Sequence, residues 1–321
     1  MFDLITIGDA LIDTFFVLDE KNVGCTLNQN KKKLCFNYAN KMSIEHSTLS
    51  VGGNAANVAV GVRKLGLDVA IRTHLGDDIN GHVVYDALET SGVDTSLVSV
   101  RPEDQTRYSV VLNFKSERTI LSYHGKRKYT LPKLPNAKWL YYTSMGSGFE
   151  KVQNKILNYL KKHPECKLAM NPGSYQMKKG LIAIKRALPH VAVLLVNKEE
   201  GESIVGKRNS IGALINALHK TGPTVVVVTD STRGSYASNG VNIYKMPAYP
   251  IKPMAKTGAG DAYTSGFLTA TILGKTIPEA MQWGTANAGG VIKQFGAQKG
   301  LLSRSNINKI IKKYPNVKPR K

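Results

Sequence analysis

The stretch Thr257-Gly258-Ala259-Gly260-Asp261 runs straight into a long helical pattern, Ala262 to Leu273, and everything else in the chain is read outward from it. Small residues let a backbone approach a ligand closely with its N–H groups bare. A helix N-terminus adds unsatisfied donors and partial positive charge, which suit a phosphate. Asp261 stands at the start of that helix, where a carboxylate can take a proton from an attacking hydroxyl. Taken alone, the run describes equally well a glycine-rich turn with Asp261 as a helix cap. The sequence contains no GxxxxGK[ST], so a Walker-type nucleotide loop is excluded.

Upstream, strand-like runs at Trp139–Thr143, Lys167–Met170, Val191–Val196 and Thr224–Thr229 alternate with amphipathic segments such as Ile211/Leu214/Ile215/Leu218. This alternation predicts an α/β fold, a mostly parallel central sheet with helices on both faces. Ligands in such sheets bind at the carboxyl ends of the strands. Leu4 to Ile7 reads as a buried strand ending in Gly8-Asp9, and Val69-Ala70-Ile71 as another. Gly52-Gly53-Asn54 opens a helix with Ala55, Val58, Ala59, Val62 and Leu65 on one face, stopped by Gly66. Asp77 to Ser91 reads as a second helix closed by Gly92.

Residues 14–50 differ in character and read as a β-rich excursion. Tyr108–Phe114 and Arg118–Tyr123 form a hairpin about Lys115-Ser116-Glu117. Residues 14–50 and 101–125 together predict a small β-sheet, a lid. With 321 residues, 42% of them apolar, and neither a linker nor a repeat, one domain over 1–321 is the economical organisation.

Net charge is +21 with a pI near 9.8. A Lys-rich solvated surface accounts for it, since neither zinc-finger spacing nor an RNP-like strand is present. Nucleic acid is therefore not the expected partner, although a positive field favours anionic substrates such as ATP. The basic run Lys31-Lys32-Lys33 is short, and Lys318-Pro319-Arg320-Lys321 reads as a frayed tail. Cys25, Cys35 and Cys166 lack metal-like spacing and read as reduced thiols. With no signal-like N-terminus and no apolar run long enough to cross a bilayer, a cytoplasmic protein is expected.

A second signature accompanies the first: Gly52-Gly53-Asn54-Ala55-Ala56-Asn57-Val58-Ala59, followed by Leu65-Gly66 and Gly76-Asp77-Asp78-Ile79-Asn80-Gly81. Together with Thr257–Asp261, Ala262-Tyr263 and Gly266-Phe267, it makes the chain similar to the ribokinase-like (PfkB-type) carbohydrate and nucleoside kinases, in order and over essentially the whole length. The resemblance implies Asp261 as catalytic base, and Gly258, Ala259 and Gly260 as an anion hole whose N–H donors hold the transferring phosphoryl group. It implies that Asp13, at the end of the first strand, accepts from sugar hydroxyls, with Gly52, Gly53, Asn54 and Asn57 lining the substrate side. Asn54 reads equally as a helix cap.

Asn197 and Glu200 match an Asn-x-x-Glu element placing Mg²⁺, Glu200 through water; a solvated acidic helix start is the plain alternative. Thr229, Ser231, Gly234, Thr257 and Asn287 fall on the nucleotide side, beside the Gly296-Ala297 stretch. ATP and Mg²⁺ are the implied cofactors.

The pattern departs in two places. Ala255-Lys256 stands where the family usually has Asp-Thr, and that aspartate helps hold a monovalent cation in many members. Weak or absent K⁺ dependence is the expectation if Lys256 supplies part of the missing positive charge; Lys256 reads equally as a side chain pointing into solvent. Ser231 replaces a common glycine, which bears on base preference. The expected reaction is phosphorylation of a sugar alcohol, ribose-like first, with an adenosine-like nucleoside as the alternative. A nucleoside needs an aromatic shelf, for which Phe15, Phe16, Phe36 and Tyr38 are candidates; they are equally candidates for lid core or for a dimer seam between two lids. A non-catalytic nucleic-acid-binding or regulatory protein on the same fold is disfavoured by the intact Asp261, Gly258 and Gly260.

Overall fold

Near-continuous runs of Val, Leu and Ile make the interior strands of the main sheet, as expected of parallel strands covered on both faces. The structure, a computed structural model, describes residues 1–19, 25–28, 33–114, 117–123, 125 and 127–321. The first strands are β1 (Phe2–Ile7), β2 (Leu11–Leu18), β3 (Cys25–Asn28), β4 (Lys33–Phe36), β5 (Ile44–Gly52), β6 (Val69–Arg72), β7 (His74–Gly76) and β8 (Ser99–Arg101). They are followed by β9 (Tyr108–Phe114), β10 (Glu117–Tyr123), β11 (Ala137–Tyr142), β12 (Lys167–Met170), β13 (Val193–Asn197), β14 (Val225–Thr229), β15 (Ser235–Ser238) and β16 (Ile243–Met246). The helices are α1 (Asn54–Lys64), α2 (Ile79–Thr90), α3 (Phe149–Lys162), α4 (Ser174–Lys179) and α5 (Leu181–Ala187). Then come α6 (Lys198–Val205), α7 (Ile211–His219), α8 (Ala259–Ile272), α9 (Ile277–Val291) and α10 (Arg304–Lys313).

Eight strands bond in the order β16-β15-β14-β13-β12-β11-β1-β6. They are parallel from β6 to β14, and β15 and β16 add an antiparallel edge. Alternation within the strands splits the core in two. Leu4, Val193 and Leu195 face one cluster with Val58, Val62, Phe267 and Trp283, under α1, α8 and α9. Ile5, Ile7, Leu194 and Val196 face the other, with Phe149, Ile156, Leu214 and Leu218. The α/β class and both helical layers are as the sequence predicts.

A separate four-stranded sheet has the order β10-β9-β2-β5. It matches the expected small sheet with changed bounds. β2 starts at Leu11 and β5 ends at Gly52, so Asp13 lies within this sheet and not at the end of β1. β8 pairs with β7, and β3 pairs with β4; neither joins the small sheet. Lys31, Lys32, Lys115 and Ser116 lie outside the described residues. The expected frayed tail is instead paired: Arg320 exchanges backbone hydrogen bonds with Lys245 of β16, at 2.7 and 2.9 Å, and covers that strand's edge.

The chain passes between the two sheets beside Asp9. The Asp9 carboxylate forms a buried ion pair with Arg107, which leads into β9. Tyr129, on the return from β10, donates to Asp9 and accepts from Arg107. The Asp9 carbonyl accepts from Ala55 N, and a Cβ at Gly53 would fall 2.4 Å from that carbonyl oxygen. The crossings at 8–11, 53–55, 104–108 and 127–130 thus meet at one buried charge pair that also holds the Tyr129 hydroxyl. Removing one partner of such a pair is costly because the other charge is left buried.

Helices α8 and α9 approach closely enough that a Cβ at Gly266 would lie 2.6 Å from the Trp283 carbonyl oxygen. Backbone cannot swing aside as a side chain can. Gly266→Ala is expected to destabilise the protein by about 1–3 kcal/mol, the usual range for overpacking, read as a lowered midpoint in urea with an unchanged slope.

Candidate active site

Helix α8 begins without a side-chain cap. Its N-cap is Gly258 at φ +77°, a left-handed conformation that glycine adopts without penalty. A Cβ there would also lie 2.5 Å from Ala297 Cα. Both constraints demand glycine at 258. The first bond of the helix runs from Ala262 N to Gly258 O, which leaves the amides before it pointing off the helix end. Beside Gly260, by contrast, a Cβ would meet nothing within 4 Å. The end of α8 is therefore an open cradle of bare donors, which fits a phosphate group.

Asp261 sits in the first turn of α8 and is held from across the chain. Asn54 Nδ2 donates to Oδ1 at 3.0 Å, and Asn57 Nδ2 donates to Oδ2 at 2.8 Å. Both asparagines lie on α1, whose N-cap is Gly53. Asn54 is therefore not a cap, and its side chain is directed at the aspartate. Asn54 and Asn57, two of the four residues expected on the substrate side, thus both bond the expected base. Burial pushes the Asp261 carboxyl up to about 6 despite these two bonds, and the charges of Glu200 and Asp13 add to the rise.

Asp13 projects from β2 next to Ser109 of β9, whose hydroxyl donates to it. Burial pushes its carboxyl up to about 6 as well, opposed by Ser109 and by the charge of Arg118. A Cβ on Gly52 would lie 2.4 Å from Asp13 Oδ2, so only glycine leaves that carboxylate its place. Arg118 of β10 reaches the loop before α8, where its Nη1 donates to Thr257 Oγ1 at 2.7 Å. The small sheet and the anion cradle are thus in direct contact. Sequence reasoning missed Arg118, which looked like one more surface cation in a hairpin.

Glu200 and Asn197 form a reciprocal capping box at the start of α6: Glu200 N donates to Asn197 Oδ1, and Asn197 N to Glu200 Oε2. The same Oε2 accepts from Asn171 Nδ2 at 3.3 Å. Asn197 therefore spends its side chain on the helix, while Glu200 faces the centre closely enough to act on Asp261. Burial raises the Glu200 pKa. Asn171, just after β12, was missed; an amide directly after a buried strand and before Pro172-Gly173 was the available signal. Among the described residues, no group of three or more His, Cys, Asp or Glu side chains could hold a metal ion. The donor set fits only a cation that keeps its water and phosphate ligands, with Glu200 outside them.

Thr229 ends β14 in register with Asn197. The turn that follows is built on Asp230, nearly buried and clasped by Arg233 through Nε and Nη2 at 2.6 and 2.7 Å. Ser231 adopts φ +49°, which explains why a glycine suits this position. Gly234 at φ +91° lies so near Met246 that a Cβ would stand 2.1 Å from its carbonyl oxygen.

Asn287 requires correction as a nucleotide contact. It is fully buried and donates to Ala262 O and Ser265 Oγ, while its own oxygen accepts from Leu302 N. Its polar atoms are committed to tying α9 to α8. The aromatic shelf is not assembled either: Phe15 is buried, whereas Tyr38 is 98% exposed.

The model of the pfkB family carbohydrate kinases matches residues 13–304. The chain belongs to that family. It is an ATP-dependent carbohydrate kinase. The 5-dehydro-2-deoxygluconokinase of Bacillus subtilis is 25% identical, with 97% of this chain and 96% of the relative covered. Among solved structures, the ribokinase of Arabidopsis thaliana complexed with ribose and ATP superposes with a TM-score of 0.79 at 19% identity, covering 97% of this chain and 99% of that one. The nucleoside kinase of Methanocaldococcus jannaschii gives a TM-score of 0.78 at 20% identity, covering 97% and 98%. At these identities the superpositions show a shared fold. Among the described residues of this family member, no helix is long and apolar enough to cross a membrane.

The raised Asp13 carboxyl carries a stability consequence. Below pH 3.8 it is protonated in both the folded and the unfolded chain. As pH rises from there through about 6, ionisation favours the unfolded chain, and the penalty is complete above 6. Asp13→Asn is expected to raise unfolding free energy by about 1–2 kcal/mol at pH 8, discounted for partial exposure. That gain should shrink several-fold at pH 4, as read by urea unfolding at the two pH values.

Proposed function

We propose that this kinase transfers the γ-phosphoryl group of ATP to a hydroxyl of a small, ribose-like sugar bound between Asp13 and Asp261. One observation carries the reading: a carboxylate held by two asparagine amides at the mouth of an uncapped helix. Asp13 accepts from sugar hydroxyls and sets the orientation of the ring. Asp261 accepts the proton of the reacting hydroxyl as its oxygen bonds to the γ-phosphorus and the bond to ADP breaks. The amides at Gly258, Ala259 and Gly260 take the charge on the phosphoryl oxygens. Mg²⁺ would neutralise phosphate charge when bound, with Glu200 as its outer partner. Thr229, Ser231, Gly234 and Thr257 line the nucleotide side.

The small sheet acts as a lid that excludes water from the transfer, with Arg118 on Thr257 as its contact to the body. Its exposed Leu49, Ile120 and Leu121 suit pairing with the lid of a second copy. A nucleoside acceptor, the second reading, rests on the likeness to the archaeal nucleoside kinase, but it lacks a formed aromatic shelf. With Ala255 and Lys256 at the position of the family's Asp-Thr, the reaction depends weakly on K⁺. A large loss of rate in K⁺-free, Na⁺-free buffer would instead show strong dependence and refute this reading.

Turnover is best measured with ATP-Mg²⁺ against neutral sugars, sugar acids and nucleosides. Asp261→Asn is expected to lower kcat by about 10²–10⁴-fold; a loss under tenfold removes Asp261 as the base. Both carboxylates must be ionised in the free enzyme, and both sit at about 6. Log kcat/KM should therefore fall with a slope approaching two below pH 6. Log kcat at saturating sugar, with Asp13 already engaged, should fall with a slope of one.

A further inference from the structure

The hold on Asp261 does not end at Asn57. Gln298 Nε2 donates to Asn57 Oδ1 at 3.0 Å, across 241 residues of sequence. Gln298 follows Ala297, which packs against Gly258, and its backbone carbonyl closes a turn with Leu301 N. The segment that seats the anion loop therefore also presents this side chain. Asn57 is 4% exposed, so water does not readily replace a lost partner.

An asparagine amide is two-faced. Turned one way it offers N–H to Asp261 and matches a carboxylate. Turned by half a rotation it offers C=O, which only a protonated carboxyl can satisfy. A carboxylate stabilised by donated hydrogen bonds keeps a lower pKa; one facing an acceptor is driven to hold its proton. The donor from Gln298 occupies Asn57 Oδ1 and so favours the first orientation.

We propose that Gln298 is a positioning residue that fixes the Asn57 amide so that Asp261 stays ionised and ready to accept a proton. This rests on the reading of Asp261 as the base. The charges acting on that carboxyl are Glu200 of α6 and Asp13 of β2, both of which raise it; the buried Tyr141 of β11 is also coupled to it. Against two like charges, donated hydrogen bonds are what keep the proton off near neutral pH.

The test compares Gln298→Met, Gln298→Glu and Gln298→Lys with the natural protein, following kcat from pH 5 to 9 at saturating sugar and ATP-Mg²⁺. Methionine removes the donor without adding charge, and the acid limb should move up by about half a pH unit. Turnover at pH 6 would then fall roughly twofold more than turnover at pH 8. Glutamate can only accept at high pH, and the limb should move up by about one unit or more. Lysine keeps a donor, and its limb should not rise. Carbon-13 titration of the Asp261 carboxyl in the ligand-free protein should move in the same order, which covers a variant that folds but turns over poorly. A uniform drop in kcat with an unmoved limb and unmoved titration overturns the proposal. Failure of the base reading looks different: Asp261→Asn keeps near-natural turnover whatever stands at 298.

Discussion

The grip of α1 on Asp261 is the constraint from which the site follows. Asn54 and Asn57 belong to the N-terminal signature and Asp261 to the C-terminal one, 207 and 204 residues away. The two motifs are halves of one device. They meet because α1 and α8 pack with almost no side-chain bulk between them: a Cβ on Gly61 would lie 2.4 Å from Ser265 Oγ. Wider packing there would carry the amides away from the carboxylate. The small residues of α1 and α8 thus set how near the two helices come, in a core that stays rigid because it is close-packed.

Burial and hydrogen bonding pull the same carboxylate in opposite directions, and the balance decides its use. Burial alone would protonate Asp261. Two donated bonds oppose that rise and leave the carboxyl at about 6, a value suited to the proton transfer proposed for it. Asp13 reaches a similar value with one serine bond and the field of Arg118. Two carboxylates so placed cost folding free energy above pH 6, and the extensive apolar core on the two faces of the main sheet offsets that cost.

The sheet order was legible in part because periodicity reports burial. The apolar runs at β12, β13 and β14 could hardly be anything but interior strands. β15 and β16 were not read, since half-polar segments such as Ser235–Ser238 lack an apolar run. At the site, glycine constraints were legible because left-handed backbone and close approach leave few alternatives. Side-chain partnership was not. Asn54 and Asn57 could be named as functional, but only the fold shows them bonded to Asp261. Asn287 misled because an amide at a helix position looks the same whether it meets a ligand or ties two helices. Arg118, Asn171 and Gln298 escaped because nothing local marks a residue whose partner lies 29 to 241 residues away.

A kinase of this design must bring two bodies into register, since Asp13 rides on the small sheet and Asp261 on the main one. The crossings meet at Asp9, whose charge is matched by Arg107 and whose remaining oxygen takes the Tyr129 hydroxyl. A buried ion pair adds little net stability compared with an apolar substitute, but it fixes direction, because charge and hydrogen bonds must both be satisfied. At the far end, the exposed Arg118 of the small sheet donates to Thr257 of the main body. On the proposed reading of the small sheet as a lid, a buried, directional joint at one end and a solvent-accessible contact at the other suit a sheet that opens and returns to the same place. Under that reading, substrate entry and close placement of the reacting hydroxyl are compatible in one molecule.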